Sequence, residues 1–176
     1  MSTALLTALA LIAYLVATGS VLLRIFHPQG PHFKTTFSAA VVGIVLHMLV
    51  LTGMLFTAQG QNFSLLNVSS LVCWLITVSV TLTALRTPTL LLLPVVYGFA
   101  ALVQLAVLLL PHNMQLHHFE QNVGLLIHIL LAFIAYAILI MAMLYSFQVS
   151  YISNKLKQKD FAAMTRHMPP LIQAEL

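Results

Sequence analysis

Residues Val123–Val149, VGLLIHILLAFIAYAILIMAMLYSFQV, contain no Asp, Glu, Lys or Arg and a single imidazole, His128. The run exceeds the roughly 20 residues that a helix needs to cross a hydrocarbon core about 30 Å thick. In lipid every backbone donor and acceptor must be paired within its own segment or inside a closed barrel. The run lacks the alternation of barrel strands, so it reads as a membrane-spanning helix.

Four more runs of the same kind lie upstream, at Ala4–Leu23, Thr36–Thr57, Leu65–Leu85 and Thr89–Leu110. Of the 176 residues, 61% are hydrophobic and 6% charged, and the mean hydropathy is +1.03. A soluble domain carries roughly a quarter charged residues, so this chain has too few polar side chains to clothe a water-facing surface. The expected fold is all-α, a polytopic bundle of five transmembrane helices over residues 1–149, followed by a basic tail over 150–176. Pro94 is expected to bend the fourth helix by removing one intrahelical bond, and Pro88 suits a first turn.

The basic residues are Arg24, Lys34, Arg86, Lys155, Lys157, Lys159 and Arg166. With five crossings they all fall on one side. Cytoplasmic loops retain Lys and Arg, which puts the N-terminus and the loops Ala58–Ser64 and Pro111–Asn122 outside and the C-terminus in the cytoplasm. The tail mixes its cations with Tyr151, Leu156, Phe161 and Met164, as an interfacial helix among anionic headgroups would. The net charge of +4 is therefore membrane-boundary charge and does not point to nucleic acid. No Lys or Arg precedes the first apolar run, so that run reads as a retained helix and not a cleaved signal. Cys73, the only cysteine, sits inside an apolar run and has no intramolecular disulfide partner.

Eight histidines stand against three acids, and two of them, His47 and His128, lie inside spans, where ionisable groups are rare and usually face a bundle interior or cavity. Each follows a glycine by four residues, Gly43 and Gly124, which places the glycine one turn away on the same helix face. Such a notch admits either a neighbouring helix or the edge of a porphyrin beside a neutral imidazole, a good ligand for iron. A structural hydrogen bond between helices is the alternative role for both histidines. By helical rise, His47 lies about 16 Å from either end of its span and His128 about 8 Å below the outer surface. Binding one iron between them would require tilt or offset to close that gap.

Glu120, Asp160 and Glu175 lie outside the spans, so no Ser/His/Asp arrangement is available, and no glycine loop for phosphate is present. The chain is not read as an enzyme. His112, His117 and His118 with Glu120 form an outer-loop group for a surface ligand, a metal or pH sensing, or simply an aqueous loop. His27, His32 and His167 sit among inner-side cations, where headgroup contact explains them. Asn67, Gln104 and the Ser/Thr series of span three form a polar seam suited to interhelical hydrogen bonding. Tyr97 and Tyr136 serve as core or reach a bound ligand.

The segments QNFSLLNVSS (61–70), LLLPVVY (91–97), GLLIH (124–128) running on to Tyr136 and Gln148, and MPPL (168–171) resemble the cytochrome c assembly (CcsA/HemX-like) membrane protein family of bacterial inner membranes. The resemblance covers nearly the whole chain. It implies an inner-membrane protein related to haem-delivery factors, with His47 and His128 in suitable positions to ligate haem b and Gly43 and Gly124 leaving room for the macrocycle. Haem-presenting members carry a tryptophan-rich outer loop flanked by histidines. Here Trp74 is the only tryptophan, so the resemblance does not extend to attaching haem to apocytochrome. Relatives continue through further spans beyond the Pro-Pro segment, so the resemblance implies a truncated or split member, its missing half-bundle replaced by a second copy or a separately encoded remainder, with other cytochrome c assembly proteins as further expected partners. Two functions of other classes remain open: a small transporter or proton-relay subunit, and a ligand-free scaffold for a membrane assembly complex.

Overall fold

The computed structural model describes residues 2–24, 32–58, 60–86, 92–111, 116–117 and 123–157. Five helices are long and apolar enough to cross a membrane: α1 (Thr3–Leu22), α2 (Phe33–Leu55), α3 (Leu65–Ala84), α4 (Leu92–Leu109) and α5 (Val123–Lys157). Of the 150–176 tail expected to form an interfacial helix, residues 158–176 lie outside the described residues, as does Pro88 with the first-turn role expected of it.

Side-chain oxygens set two of the starts. Ser2 caps α1 by accepting from the Leu5 N–H, and Ser64 caps α3 by accepting from the Asn67 N–H, each satisfying one of the four free N–H groups at a helix start. Pro94 falls in the first turn of α4 as described. Its missing N–H is one that the first turn leaves unpaired anyway, so the bend expected of it is not required. α5 continues past Val149 to Lys157, because the intervening residues include no proline or glycine to stop it.

Helices α1 to α4 form a ring in which each packs on the next and α4 closes back on α1. The buried positions of α1 are Thr7, Ala10, Tyr14, Ala17 and Val21, and those of α2 include Thr36, Ala40, Gly43, His47 and Val50. Steps of three and four residues keep one stripe facing the neighbour, as in a coiled-coil seam. Small residues set the approach, since lipid supplies no hydrophobic drive between helices and close packing must do so. At Gly43 a methyl group would meet the Tyr14 ring at 3.0 Å. α5 stands outside the ring, mainly against α3, and only 6% of its most apolar window is buried.

A small antiparallel sheet caps one end: β1 (Phe56–Thr57), β2 (Gly60–Asn62) and β3 (Leu116–His117), in that order. Strands were not expected from the sequence, where both loops read as irregular. Gly60 adopts φ 128, in the left-handed region open to glycine, and the Thr57 hydroxyl donates to its carbonyl at 2.6 Å. Buried Asn67 ties the cap to the bundle, its amide donating to the carbonyls of Asn62 at 2.9 Å and Met54 at 3.3 Å. The opposite end carries Arg24, Lys34 and Arg86, with the Arg24 guanidinium on the His32 ring and the hydroxyls of Ser20 and Thr36 2.7 Å apart.

Two outcomes follow. Adding the methyl in Gly43→Ala forces the Tyr14 ring to move and is expected to destabilise the detergent-solubilised protein by about 1–3 kcal/mol, seen as a lower Tm, whereas Gly124→Ala, on an exposed face, leaves Tm unchanged. In intact cells an impermeant maleimide should label Ala58→Cys at the capped end, while Arg86→Cys reacts only after permeabilisation; the reverse pattern would invert the topology.

Candidate functional site

The imidazole of His47 is 0% exposed and lies in the ring between α1 and α3. Its Nδ1 is 3.2 Å from the Tyr14 hydroxyl and its Nε2 2.8 Å from the Ser70 hydroxyl. A neutral imidazole offers one donor and one acceptor, and a hydroxyl can answer either, so both ring nitrogens are satisfied in either tautomer. Tyr14 is the hub. Its ring meets that of His47 edge to face at 5.9 Å and stacks on Tyr97 at 6.4 Å, while the Tyr97 hydroxyl lies 3.0 Å from the Thr81 hydroxyl. One aromatic residue of α1 thereby joins α2, α4 and, through His47 and Tyr97, α3. The Trp74 indole adds a further α3 to α2 tie by donating to the Ile44 carbonyl at 3.0 Å.

The expected porphyrin notch at Gly43 is filled by the Tyr14 ring. With both nitrogens engaged and no exposed surface, the His47 imidazole in this packing is closed to an external ligand. A haem iron would have to displace Tyr14 or Ser70 first, so the His47 and Gly43 half of the anticipated site does not fit the group as it stands.

His128 is placed differently. It lies on an exposed part of α5, as does Gly124 one turn before it. The ring of Phe133 packs 6.3 Å from that of Phe63, which precedes α3. His128 is five residues closer to the N-terminus of α5, about 7.5 Å farther along the helix axis. α3 intervenes between α5 and the α1–α2 pair, and His47 and His128 do not converge. His128 and Gly124 differ from that pair: an accessible imidazole stands one turn from a glycine, and these are the residues that would hold a flat, iron-bearing group.

Between α3, α4 and α5 runs a cleft of about 670 Å³, open on one side and lined by apolar residues such as Val72, Ile76, Phe99, Phe133 and Met143, with Tyr136 at its margin. Tyr136 is 59% exposed and Tyr97 1%, so of the two tyrosines only Tyr136 can reach a ligand. Among the described residues no three His, Cys, Asp or Glu side chains gather as a metal site. The outer-loop group of His112, His118 and Glu120 lies outside the described residues, as does the His117 side chain. The closure of His47 by Tyr14 was missed in the sequence. The signal available was the shared three-and-four spacing of buried positions in α1 and α2, which puts Tyr14 and Gly43 on facing stripes.

Removing the imidazole should hurt folding more than removing one hydroxyl. His47→Ala leaves a cavity and two buried hydroxyls without a partner and is expected to cost about 2–4 kcal/mol, while Tyr14→Phe, which keeps the ring over Gly43, costs about 1 kcal/mol. Thermal unfolding in detergent measures both. Equal losses would mean that the hydrogen bonds and not the packing dominate.

Comparison with known proteins agrees with this architecture. The profile of the family described as Cytochrome C assembly protein matches residues 35–176. The chain is 38% identical over 169 residues to Inner membrane protein YpjD of Escherichia coli strain K12, and equally to the proteins of that name in strains O6:H1 and O157:H7. The alignment covers 95% of this chain and 64% of each relative, so the chain spans less than two thirds of their length. No solved structure gives a significant match. With five apolar helices and a family match over most of its length, this is a multi-pass inner-membrane protein that belongs to the cytochrome c assembly protein family.

Proposed function

We propose that the chain is a haem-handling or regulatory component of cytochrome c assembly, holding haem b on the open side of α5 with His128 as the accessible imidazole. The observation that carries this reading is the exposure of His128 together with Gly124 on a helix that is otherwise apolar and scarcely covered by the rest of the chain. A polar ring at the edge of the hydrocarbon is costly unless something engages it. A neutral imidazole is a strong ligand for iron, and a missing Cβ four residues earlier clears the face beside it. Bound haem would supply the iron centre of a cytochrome; this chain would hold it with the His128 imidazole and an apolar wall.

His47 then serves the bundle in place of the haem, and becomes a ligand only if Tyr14 and Ser70 release it. Any further group needed to hold the haem would come from another chain: a second copy, a separately encoded remainder or other assembly proteins. Nothing in this role requires bond-making chemistry by the protein, and handling is proposed in preference to catalysis.

The test is the visible spectrum of the protein purified in mild detergent, before and after haem reconstitution. Wild type is expected to show a Soret band, His128→Ala to lose or shift it, and His47→Ala to keep it in whatever fraction folds. No Soret band after reconstitution rejects haem binding, and a band lost in His47→Ala but kept in His128→Ala moves the ligand into the bundle.

A further inference from the structure

We infer that the capped end of the four-helix ring is a water-filled inlet that reaches down to Gln104, so that water sits against a side-chain amide inside the membrane. Gln104 is 0% exposed, and among the described residues neither its Nε2 nor its Oε1 has a hydrogen-bond partner. A primary amide carries two donors and an acceptor, and leaving all of them unmade in an apolar interior is expensive. Water is the small neutral molecule that answers both halves of the group, and buried waters typically bridge otherwise unsatisfied polar atoms.

A way in is present directly above. A pocket of about 230 Å³ opens between α1, α2, α4 and strand β2, lined by Thr3, Thr7, Gly53, Asn62 and Val107 among others. Val107 follows Gln104 by three residues and so lies on the same face of α4, less than one turn nearer the cap. Thr7 is also buried, and its hydroxyl donates to the Thr3 carbonyl at 2.8 Å, which leaves its lone pairs free to accept from a water. Thr7 and Gln104 lie four and five residues from the capped ends of α1 and α4, at similar depth. The inlet is on the far side of the ring from the α5 face and is independent of haem.

Water-edited solid-state NMR of protein labelled at glutamine and alanine, in liposomes, tests the inference, with the Gln104 amide signal assigned by its loss in Gln104→Leu, or by its loss in Gln104→Asn should the leucine variant not fold. Magnetisation is expected to pass from water to this amide rapidly, and much faster than to the backbone amides of Ala100 and Ala101. Val107→Phe, which fills the floor of the pocket, is expected to abolish the rapid transfer. Transfer to Gln104 as slow as to Ala100 overturns the hydrated site, and rapid transfer that persists in Val107→Phe overturns the route through this mouth.

Discussion

The ring of Tyr14 seated over Gly43 is the contact on which the rest of the bundle depends. It lets α1 and α2 approach to the distance at which a methyl group would already collide, and it carries a hydroxyl to His47 in a region where an unpaired imidazole would be costly. The same ring stacks on Tyr97 of α4, and His47 hands the connection on to Ser70 of α3. All four helices of the ring are thus registered by one cluster. Packing at small residues brings the backbones together, and polar pairs in the low-dielectric interior select which faces meet.

α5 lies outside this arrangement, and the difference bears on function. In the ring, His47, Tyr14, Ser70, Tyr97 and Thr81 answer one another; α5 instead presents His128, Gly124 and Tyr136 outward. Apolar side chains on such a face need no cover, because lipid solvates them. Polar ones do need an answer, which makes the imidazole and not the surrounding leucines the informative feature. The relatives that match this chain are longer than the stretch they share with it.

The capped end and the opposite end of the ring illustrate the same economy. Asn67 satisfies carbonyls of both Met54 and Asn62, so a residue expected to join helix to helix serves as a strut between sheet and helix. At the other end, the Arg24 and His32 pair joins the α1 and α2 termini.

The number of crossings and the helical class were legible in the sequence, because length and hydropathy alone decide whether a segment can satisfy its backbone in lipid. Helix boundaries came out within a few residues, except that α5 ran on through the basic residues where charge marks the membrane edge but does not end a helix. Family membership was legible in the segments around Asn67, Tyr97 and His128. What the sequence could not decide is which face each intramembrane polar residue turns to. His47 and His128 stand in the same local setting, each four residues after a glycine, and linear spacing treats them alike. Only the tertiary structure separates them: Gly43 receives the ring of a residue from another helix, sealing His47 inside, while Gly124 and His128 fall on an exposed part of a helix that the other described residues scarcely cover. Burial is a property of what packs opposite, and no residue's own neighbours in sequence determine that.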